Sequence, residues 1–358
     1  MNRKQSILIV APSLDILGGQ SVQATRLFER LKAEPNLHVG FLSINPRLPG
    51  FLRGLQRVKY LRTVLTSIAY VSSLLWRVRG YDVIHVFSAS YLSFVLAPTP
   101  AILIGKLYRR KVLLNYHSGE AEDHLQRWRS AITTIRCVDS IVVPSEYLVR
   151  IFAKFGFHAQ AIANLIDTSQ FRFRQRRPLR PVFLSNRNFE SHYGVDRVLR
   201  AFAIIQSKVG DASLTVAGDG SQNHSLKALA SDLDLKHIRF IGRIDPESIV
   251  DVYDAADVYL NASEIDNQPL SIIEAFSCGL PIVTTDAGGI PDMVHDGETG
   301  MVVSCGDCAA IAERALRLLN RPELAEQMVE RARNECVKYR WESVRDEWLN
   351  AYRSIDEK

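Results

Sequence analysis

The residues best suited to chemistry lie in the second half of the sequence, at the ends of apolar runs. Arg187 follows the run PVFLS, and a guanidinium at the end of a strand is suited to holding a phosphate group. Glu274 lies four residues after Leu270, in a helix that we expect to begin near Pro269. Its carboxylate can accept two hydrogen bonds from a ribose diol, and the first amide groups of the helix, those of Leu270 and Ser271, can bind an anion.

Four further residues extend this predicted pocket. Asn186 precedes Arg187, and Gly218 opens the turn GDG after the run SLTVA. Gly288 and Gly289 follow the run PIVTT and precede a second expected helix start. Because glycines let the backbone approach a ligand closely, this pair could complete a pocket for a phosphate and a sugar.

The first half contributes a glycine pair and a histidine, each with two interpretations. Gly18 and Gly19 lie between the first apolar run and a helix that begins near Gln20, where they form either an anion site or a tight turn. The pair fits neither a dinucleotide-binding nor a Walker pattern. His117 follows the run VLLNY, where its ring either donates a hydrogen bond to a substrate or has a structural role.

Strands must position these residues, and short apolar runs alternate with helical patterns along the whole chain. This alternation predicts an α/β protein with two Rossmann-like, doubly wound domains in tandem. Ligands bind beyond the carboxyl ends of the strands in such sheets, so two facing sheets predict an inter-domain cleft. The runs that we expect to be strands are 6–12, 38–44, 82–88, 112–116, 140–144, 181–185, 213–217, 238–242, 258–262 and 281–285.

The predicted boundaries come from one segment that shows no period. The sequence FRFRQRRPLRP is basic and marked by proline, so residues 171–180 are interpreted as a linker. It separates an amino-terminal domain, 1–170, from a carboxy-terminal domain, 181–340. The helical pattern of 341–358 is expected to rejoin the first domain.

Composition limits the class of protein. A chain of 358 residues with 23% charged residues fits two globular domains and excludes disorder and collagen-like repeats. Five cysteines, an odd and sparse set, indicate a reducing compartment. The uncharged apolar stretch 63–76 is too short to cross a bilayer, and we expect a cytoplasmic protein. The pair Cys305 and Cys308 is interpreted as part of a loop and not as a metal site.

The order and spacing of several short motifs resemble those of retaining glycosyltransferase family 4, the group 1 glycosyltransferases with the GT-B fold. The resemblance covers nearly the whole chain and is strongest over 187–300. It implies two facing Rossmann-like domains and transfer of a sugar from a nucleoside-diphosphate sugar, with no metal and no other cofactor. The motifs are GG at Gly18, HSG at His117, VVPSEYL, NLID, VAGDG, FIGR, EAFSCGLPIV and GGIPDMV followed by GETG.

The resemblance also implies roles for individual residues. Gly18 and Gly19 would approach the donor's diphosphate or sugar, and His117 would contact the sugar near the reacting carbon. Arg187 would bind the diphosphate and Glu274 the ribose. The catalytic set is then His117, Asp266 and Arg187. The donor-binding set is Gly18, Gly19, Asn186, Gly218, Leu270, Ser271, Glu274, Gly288 and Gly289.

Two departures from the family pattern affect this site. The family has a lysine six positions after the arginine, and Tyr193 stands there, so a charged contact to the leaving diphosphate is lost. His192 or Arg197 could substitute for it. The first glutamate of the family's acidic pair is Asp266, which keeps the charge but has a shorter reach. Such changes are compatible with an active enzyme and with a non-catalytic nucleotide-sugar-binding subunit.

The first half is basic and the second acidic. Residues 1–175 carry 23 Lys and Arg against 10 Asp and Glu, and the remainder carries 21 against 29. The basic residues 47, 53, 57, 59, 62, 77 and 79 frame the apolar stretch 64–76, which is either a surface for anionic lipid or a helix with one buried side. We expect a saccharide or lipid-linked acceptor, with a possible peripheral contact on the inner face of a membrane, and no nucleic acid. A nucleotide-sugar 2-epimerase is the enzymatic alternative.

Overall fold

A computed structural model describes residues 4–15, 18–47, 59–88, 90–245 and 247–356. The chain divides into two compact units. Unit 1 comprises Met1–Leu165 and Val344–Lys358, and unit 2 comprises Ile166–Ser343. No helix within the described residues combines the length and the apolar character needed to cross a bilayer.

Unit 1 is built on a parallel sheet in which β1 lies between β2 and β3. The strand order is β2-β1-β3-β4-β5-β6, so the order reverses between β1 and β3. The strands are β1 Gln5–Ala11, β2 Leu37–Ser43, β3 Val83–Ser88, β4 Lys111–Tyr116, β5 Ser140–Val143 and β6 Gln160–Ala161. The helices are α1 Gly19–Lys32, α2 Lys59–Arg77, α3 Tyr91–Leu96, α4 Pro98–Leu107, α5 Ala121–Arg127, α6 Arg129–Ile135 and α7 Glu146–Lys154.

Alternate strand residues of unit 1 pack on opposite faces of this sheet. Leu8, Ile84 and Leu114 belong to one apolar cluster, which also contains buried side chains of α2, α4 and α7. The opposite face carries His85, against which Tyr352 and Trp348 pack. Both aromatic residues belong to the last helix of the chain, α14 Trp341–Asp356. These contacts account for the assignment of Val344–Lys358 to unit 1.

Unit 2 repeats the architecture with a second parallel sheet. Its order is β12-β11-β10-β7-β8-β9, the Rossmann order, and it reverses between β7 and β10. The strands are β7 Val182–Asn186, β8 Ser213–Ala217, β9 Ile238–Gly242, β10 Val258–Leu260, β11 Ile282–Thr285 and β12 Met301–Val303. The helices are α8 Val195–Lys208, α9 Asn223–Asp232, α10 Ile249–Ala255, α11 Leu270–Cys278, α12 Cys308–Asn320 and α13 Pro322–Glu335. The prediction of two Rossmann-like units is confirmed.

The segment 171–180, interpreted from the sequence as a linker, lies within unit 2. The Arg176 side chain is 1% exposed and donates hydrogen bonds to five backbone carbonyls, among them those of Cys278 and Gly279 at the end of α11. Arg174 and Arg180 form ion pairs with the buried Asp257. The arginines that make 171–180 look like a linker in the sequence therefore hold this segment against the rest of unit 2.

Candidate active site

Arg187 follows β7 and lies at the carboxyl ends of β7 and β10, where the strand order of unit 2 reverses. Its Nη1 donates to the Ser271 hydroxyl at 3.1 Å, and its Nη2 is paired with the Asp266 carboxylate. Burial is the largest single influence and would lower the pKa of Arg187, but Asp266 and the neighbouring tyrosines together outweigh it and the pKa is raised. The buried Nε finds no partner among the described residues. The guanidinium is thus charged, fixed and able to donate one more hydrogen bond.

The first turn of α11 brings a second positive feature to this point. Pro269 has extended backbone angles, φ −66° and ψ 120°, and the helix begins at Leu270. The Ile272 amide bonds the Pro269 carbonyl at 3.2 Å. The amides of Leu270 and Ser271 precede that bond at the positive end of the helix dipole. Because Ser271 also binds Arg187, the two predicted anion-binding features lie together.

Glu274 lies one turn further along α11 and belongs to a buried network around Tyr253. The Tyr253 hydroxyl lies 3.0 Å from Glu274 Oε2 and 3.1 Å from the Ser271 carbonyl oxygen, and it accepts from Asn186 Nδ2 at 3.1 Å. Burial and the neighbouring Glu274 charge raise the pKa of Tyr253 well above its ordinary value. The phenol therefore stays protonated and fixes the Glu274 carboxylate. Sequence reasoning missed Tyr253, since only the fold brings α10 beside α11.

The predicted glycines hold the loops of this site close together. The Gly289 amide donates to the Asp266 carbonyl at 3.2 Å, which joins the loop after β11 to the loop before α11. Gly288, the first of the pair, has φ 51°. Gly218 has φ 133°, and an ideal Cβ on it would lie 2.0 Å from the Arg187 carbonyl oxygen. Gly218 is therefore needed for the backbone path of Arg187.

Tyr193, which stands at the family's lysine position, contacts Arg187 directly. The Arg187 Cζ lies over the Tyr193 ring, 4.1 Å from its centroid. Arg197, a candidate substitute for the missing lysine, is paired with Glu264. The His192 carbonyl accepts from the Glu264 amide at 2.8 Å. Tyr193 thus contacts Arg187, the cation that this site keeps. It does so from the position at which the family has a second cation, a lysine.

The predicted residues of unit 1 follow β1 and β4. Gly18 has extended backbone angles and caps α1, where its amide donates to the Ser21 hydroxyl at 3.2 Å. An ideal Cβ on Gly18 would meet none of the described atoms within 4 Å. Gly19 is the first residue of α1, so the glycine pair forms the positive end of that helix.

His117 follows β4 and lines a small cavity within unit 1. Its ring stacks on Phe87 with 5.1 Å between centroids, and Asn115, Asn164 and Trp348 also line the cavity. The buried His117 Nε2 has no partner among the described residues. Burial lowers the pKa of His117 to about 4, so the ring is neutral at pH 7.

The predicted site residues divide between the two units. Unit 2 gathers nine of them around the ends of β7 and β10: Asn186, Arg187, Gly218, Asp266, Leu270, Ser271, Glu274, Gly288 and Gly289. Unit 1 holds Gly18, Gly19 and His117. Across the part of the chain that the structure describes, no group of three or more His, Cys, Asp or Glu side chains could hold a metal ion.

The sequence matches two family models that together extend over most of the chain. Residues 17–170 match the model described as Glycosyltransferase Family 4, and residues 167–335 match Glycosyl transferases group 1. The GDP-mannose-dependent alpha-(1-6)-phosphatidylinositol monomannoside mannosyltransferase of Mycolicibacterium smegmatis is 30% identical over 259 residues, 65% of this chain and 68% of that protein.

Two further comparisons bear on the extent of the match. The N-acetyl-alpha-D-glucosaminyl L-malate synthase of Bacillus anthracis is 32% identical over 170 residues, 47% of this chain. The match spans 44% of that relative's length. The crystal structure of Anabaena HepE in complex with UDP-glucose has a TM-score of 0.78 and 17% identity, and the match covers 98% of this chain and 99% of that one. This structural likeness supports the fold.

Proposed function

The chain belongs to the group 1, family 4 glycosyltransferases, and from this membership and the geometry of unit 2 we propose that it transfers a sugar from a nucleoside-diphosphate sugar to a saccharide or lipid-linked saccharide. The donor is UDP- or GDP-linked and its sugar is of hexosyl type. The reaction retains the anomeric configuration and requires no metal ion. The product belongs to a cell-surface polysaccharide or a glycolipid.

One arrangement carries this proposal: the linked set Arg187, Ser271, Tyr253 and Glu274. A fixed guanidinium and a helix amino terminus lie together, and a buried carboxylate follows one turn away. The first two suit a diphosphate and the third suits a ribose diol. The three groups thus match the three parts of a nucleoside diphosphate that carry charge or paired hydroxyls.

In the proposed reaction the protein stabilises the leaving group. The bond between the anomeric carbon and the diphosphate oxygen breaks, and the same carbon bonds the acceptor oxygen. The acceptor's proton passes to a leaving phosphate oxygen, so no protein nucleophile is needed. Arg187 and the amides of Leu270 and Ser271 offset the charge that develops on the diphosphate. Asp266 keeps the guanidinium in place for this task.

Unit 1 contributes the remaining predicted contacts. Gly18 and Gly19 approach the donor through the amino terminus of α1, and His117 contacts the transferred sugar. With a pKa of about 4, the His117 ring acts as a neutral hydrogen-bonding group near pH 7 and not as an imidazolium. The basic balance of this half of the chain suits an acceptor presented at an anionic membrane surface.

Relatives support both candidate bases of the donor. The Anabaena structure contains UDP-glucose, and the M. smegmatis enzyme is named as a GDP-mannose-dependent phosphatidylinositol monomannoside mannosyltransferase. A donor screen should therefore include UDP- and GDP-linked hexoses in parallel. The acceptor screen should include free saccharides and lipid-linked saccharides.

The deciding experiment measures nucleoside-diphosphate release and product formation in the presence of a chelator. Arg187→Ala and Glu274→Ala should abolish transfer. Arg177 and Glu326 form an exposed ion pair in the same unit, with side chains 64% and 29% exposed, so Arg177→Ala and Glu326→Ala are matched controls that should stay active. Transfer that persists in both site variants would refute the site assignment.

The replacement of the family lysine by Tyr193 motivates one alternative, a non-catalytic nucleotide-sugar-binding subunit. In that case the protein would bind a nucleoside diphosphate, lose this binding in Glu274→Ala, and release no product with any donor. A nucleotide-sugar 2-epimerase would instead convert the donor without an acceptor. Product analysis by mass spectrometry and NMR separates these outcomes, and NMR of the product's anomeric proton tests retention.

A further inference from the structure

Exposed apolar side chains are concentrated on three helices of unit 1. Among the described residues, 14 large apolar side chains are solvent-exposed, and ten of them lie on α2, α3 and α4. We call this surface the α2–α4 face. Its ten residues are Leu61, Val64, Ile68, Leu75 and Trp76 on α2, Leu92, Val95 and Leu96 on α3, and Leu103 and Leu107 on α4. Single exposed apolar residues are ordinary, but a group of this size marks an interaction surface.

The helices expose these residues on the same side of the unit. Tyr70 of α2 and Ile102 of α4 are buried in one apolar cluster, and the Tyr70 hydroxyl donates to the Ala97 carbonyl at 2.8 Å. Their opposite sides therefore both point away from the same face of the sheet. On α2, Leu61, Val64 and Ile68 recur at helical spacing, so the exposed stripe is continuous.

The two most exposed of the ten lie beside a cluster of arginines. Trp76 is 79% exposed and Leu107 is 71% exposed, and each lies at the carboxyl end of its helix. The Arg79 guanidinium lies over the Tyr108 ring at 5.0 Å, and Arg110 Nη2 donates to the Arg79 carbonyl at 2.6 Å. These contacts join the ends of α2 and α4, with Trp76 and Leu107 close to positive charge.

The charge of this region identifies the partner. Residues 59–111 contain eight Lys and Arg and a single carboxylate, Asp82, which accepts a hydrogen bond from the Ser6 hydroxyl at 2.6 Å. The helices α2, α3 and α4 contain no acidic residue. Two copies of such a face would repel each other, whereas an anionic lipid surface would attract it.

We propose that the α2–α4 face docks on an anionic phospholipid bilayer, with its apolar side chains inserted among the acyl chains and its arginines on the lipid phosphates. Trp76 occupies the level of the headgroups, where tryptophan is enriched in membrane proteins. This inference rests on the proposed function in one respect, since a lipid-linked acceptor would be reached from this docked position. The docking itself requires neither donor nor acceptor.

The test is vesicle sedimentation with the full-length chain, without donor or acceptor. Vesicles of phosphatidylcholine alone are compared with vesicles that also contain phosphatidylglycerol. The double variants are Trp76→Ser/Leu107→Ser and Arg79→Gln/Arg109→Gln. Arg109 is an exposed arginine that directly follows Tyr108. Ile204 and Val337, 38% and 46% exposed in unit 2, provide the apolar control Ile204→Ser/Val337→Ser. Arg177→Gln is the charge control.

We expect the wild type and both controls to bind the anionic vesicles, and each surface variant to bind roughly tenfold or more weakly. Added salt should weaken the binding of the wild type. Equal binding to the neutral vesicles would overturn the assignment to anionic lipid. Wild-type protein that stays in the supernatant, or surface variants that bind like the controls, would overturn the docking face. Self-association that only the Trp76→Ser/Leu107→Ser variant loses would make the face a protein interface.

Transfer to a water-soluble acceptor is measured on the same variants. The surface variants should keep this activity, because their residues lie outside the predicted site. Vesicle binding without any transfer would refute the proposed function and leave the docking inference standing. Transfer without vesicle binding would do the reverse.

Discussion

The ring of Tyr193 supports the guanidinium of Arg187, with 4.1 Å between the Arg187 Cζ and the ring centroid. Asp266 and Ser271 bind the two terminal nitrogens of the same guanidinium. Tyr193, which stands at the family's lysine position, therefore acts on the proposed donor site through Arg187. A cation is favoured over the face of an aromatic ring. By orienting Arg187, Tyr193 therefore offsets part of the electrostatic contribution that the lysine makes in the family.

Tyr193→Ala should weaken nucleoside-diphosphate binding between about twofold and thirtyfold, since a cation–π contact contributes ~0.5–2 kcal/mol. Tyr193→Phe keeps the ring and should bind like the wild type. Isothermal titration calorimetry measures both affinities. Tyr108→Ala is the control, because it removes an arginine–tyrosine stack of the same kind in unit 1. If the Phe variant binds as weakly as the Ala variant, the stacking explanation is wrong.

Gly218→Ala should weaken nucleotide binding at the proposed donor site, an effect that backbone strain alone would not produce. The new Cβ would lie 2.0 Å from the Arg187 carbonyl, so the backbone of Arg187 must shift. Gly306→Ala is the matched control, because Gly306 also has a positive φ, 85°, and its Cβ would meet no described atom within 4 Å. Both variants should lose roughly 1–3 kcal/mol of stability, and only Gly218→Ala should lose nucleotide affinity. Equal affinities in the two variants would contradict this account.

Arg176→Met should destabilise unit 2 by about 3–5 kcal/mol, because it leaves buried carbonyls and part of the Asp257 charge without their donor. The neighbouring Arg177→Met removes an exposed ion pair with Glu326 and should cost about 1 kcal/mol or less. Guanidinium unfolding of the two variants measures the difference. Similar losses would mean that the buried network contributes little.

Acid should destabilise unit 1 through three histidines, of which His85 and His124 are buried and His117 is half-buried. Burial lowers the pKa of His85 to about 3 and those of His117 and His124 to about 4, from an ordinary value of 6.5. Between these values the unfolded chain binds protons that the folded chain does not, so stability is complete above pH 6.5 and is lost as the pH falls toward 4. Each histidine contributes a slope of up to about 1.4 kcal/mol per pH unit.

His117→Gln should therefore reduce the slope of stability against pH by about a third over this range. Unfolding followed by tryptophan fluorescence reports mainly on unit 1, which contains Trp76, Trp128 and Trp348 of the four tryptophans. His295→Gln, a surface histidine of unit 2, serves as the control. A slope that His117→Gln leaves unchanged would show that His117 is already protonated in the folded protein.

Much of the fold follows from local patterns. Ten of the twelve strands lie within two residues of their predicted bounds, because buried parallel strands are continuous apolar runs. The strands Gln160–Ala161 and Met301–Val303 were missed, since runs of two and three residues give no periodic signal. Of the basic stretch predicted near α2, Arg53 and Arg57 lie outside the described residues.

The grouping of the candidate residues was predictable where they follow strands, and not where distant elements meet. Arg187 and Glu274 could be expected near each other because strand ends and helix starts have local sequence signals. Tyr253 has no such signal, since its partners Asn186 and Glu274 are 67 and 21 residues away. For the same reason the pairing of Arg174 and Arg180 with Asp257 was invisible in the sequence, and the segment resembled a linker.

Asp257 therefore limits the residue at which a fragment that contains unit 2 can begin. Its carboxylate is fully buried, which would raise its pKa. The hydrogen bonds and charge of Arg180, together with the charge of Arg176, outweigh this effect, and the pKa is lowered. A fragment that starts at residue 181 would lack Arg174, Arg176 and Arg180 while keeping the buried Asp257. Burial without these partners would raise the pKa of Asp257, so the fragment would take up a proton on folding. Its stability would rise as the solution is acidified, opposite to the behaviour of Asp257 in the intact chain.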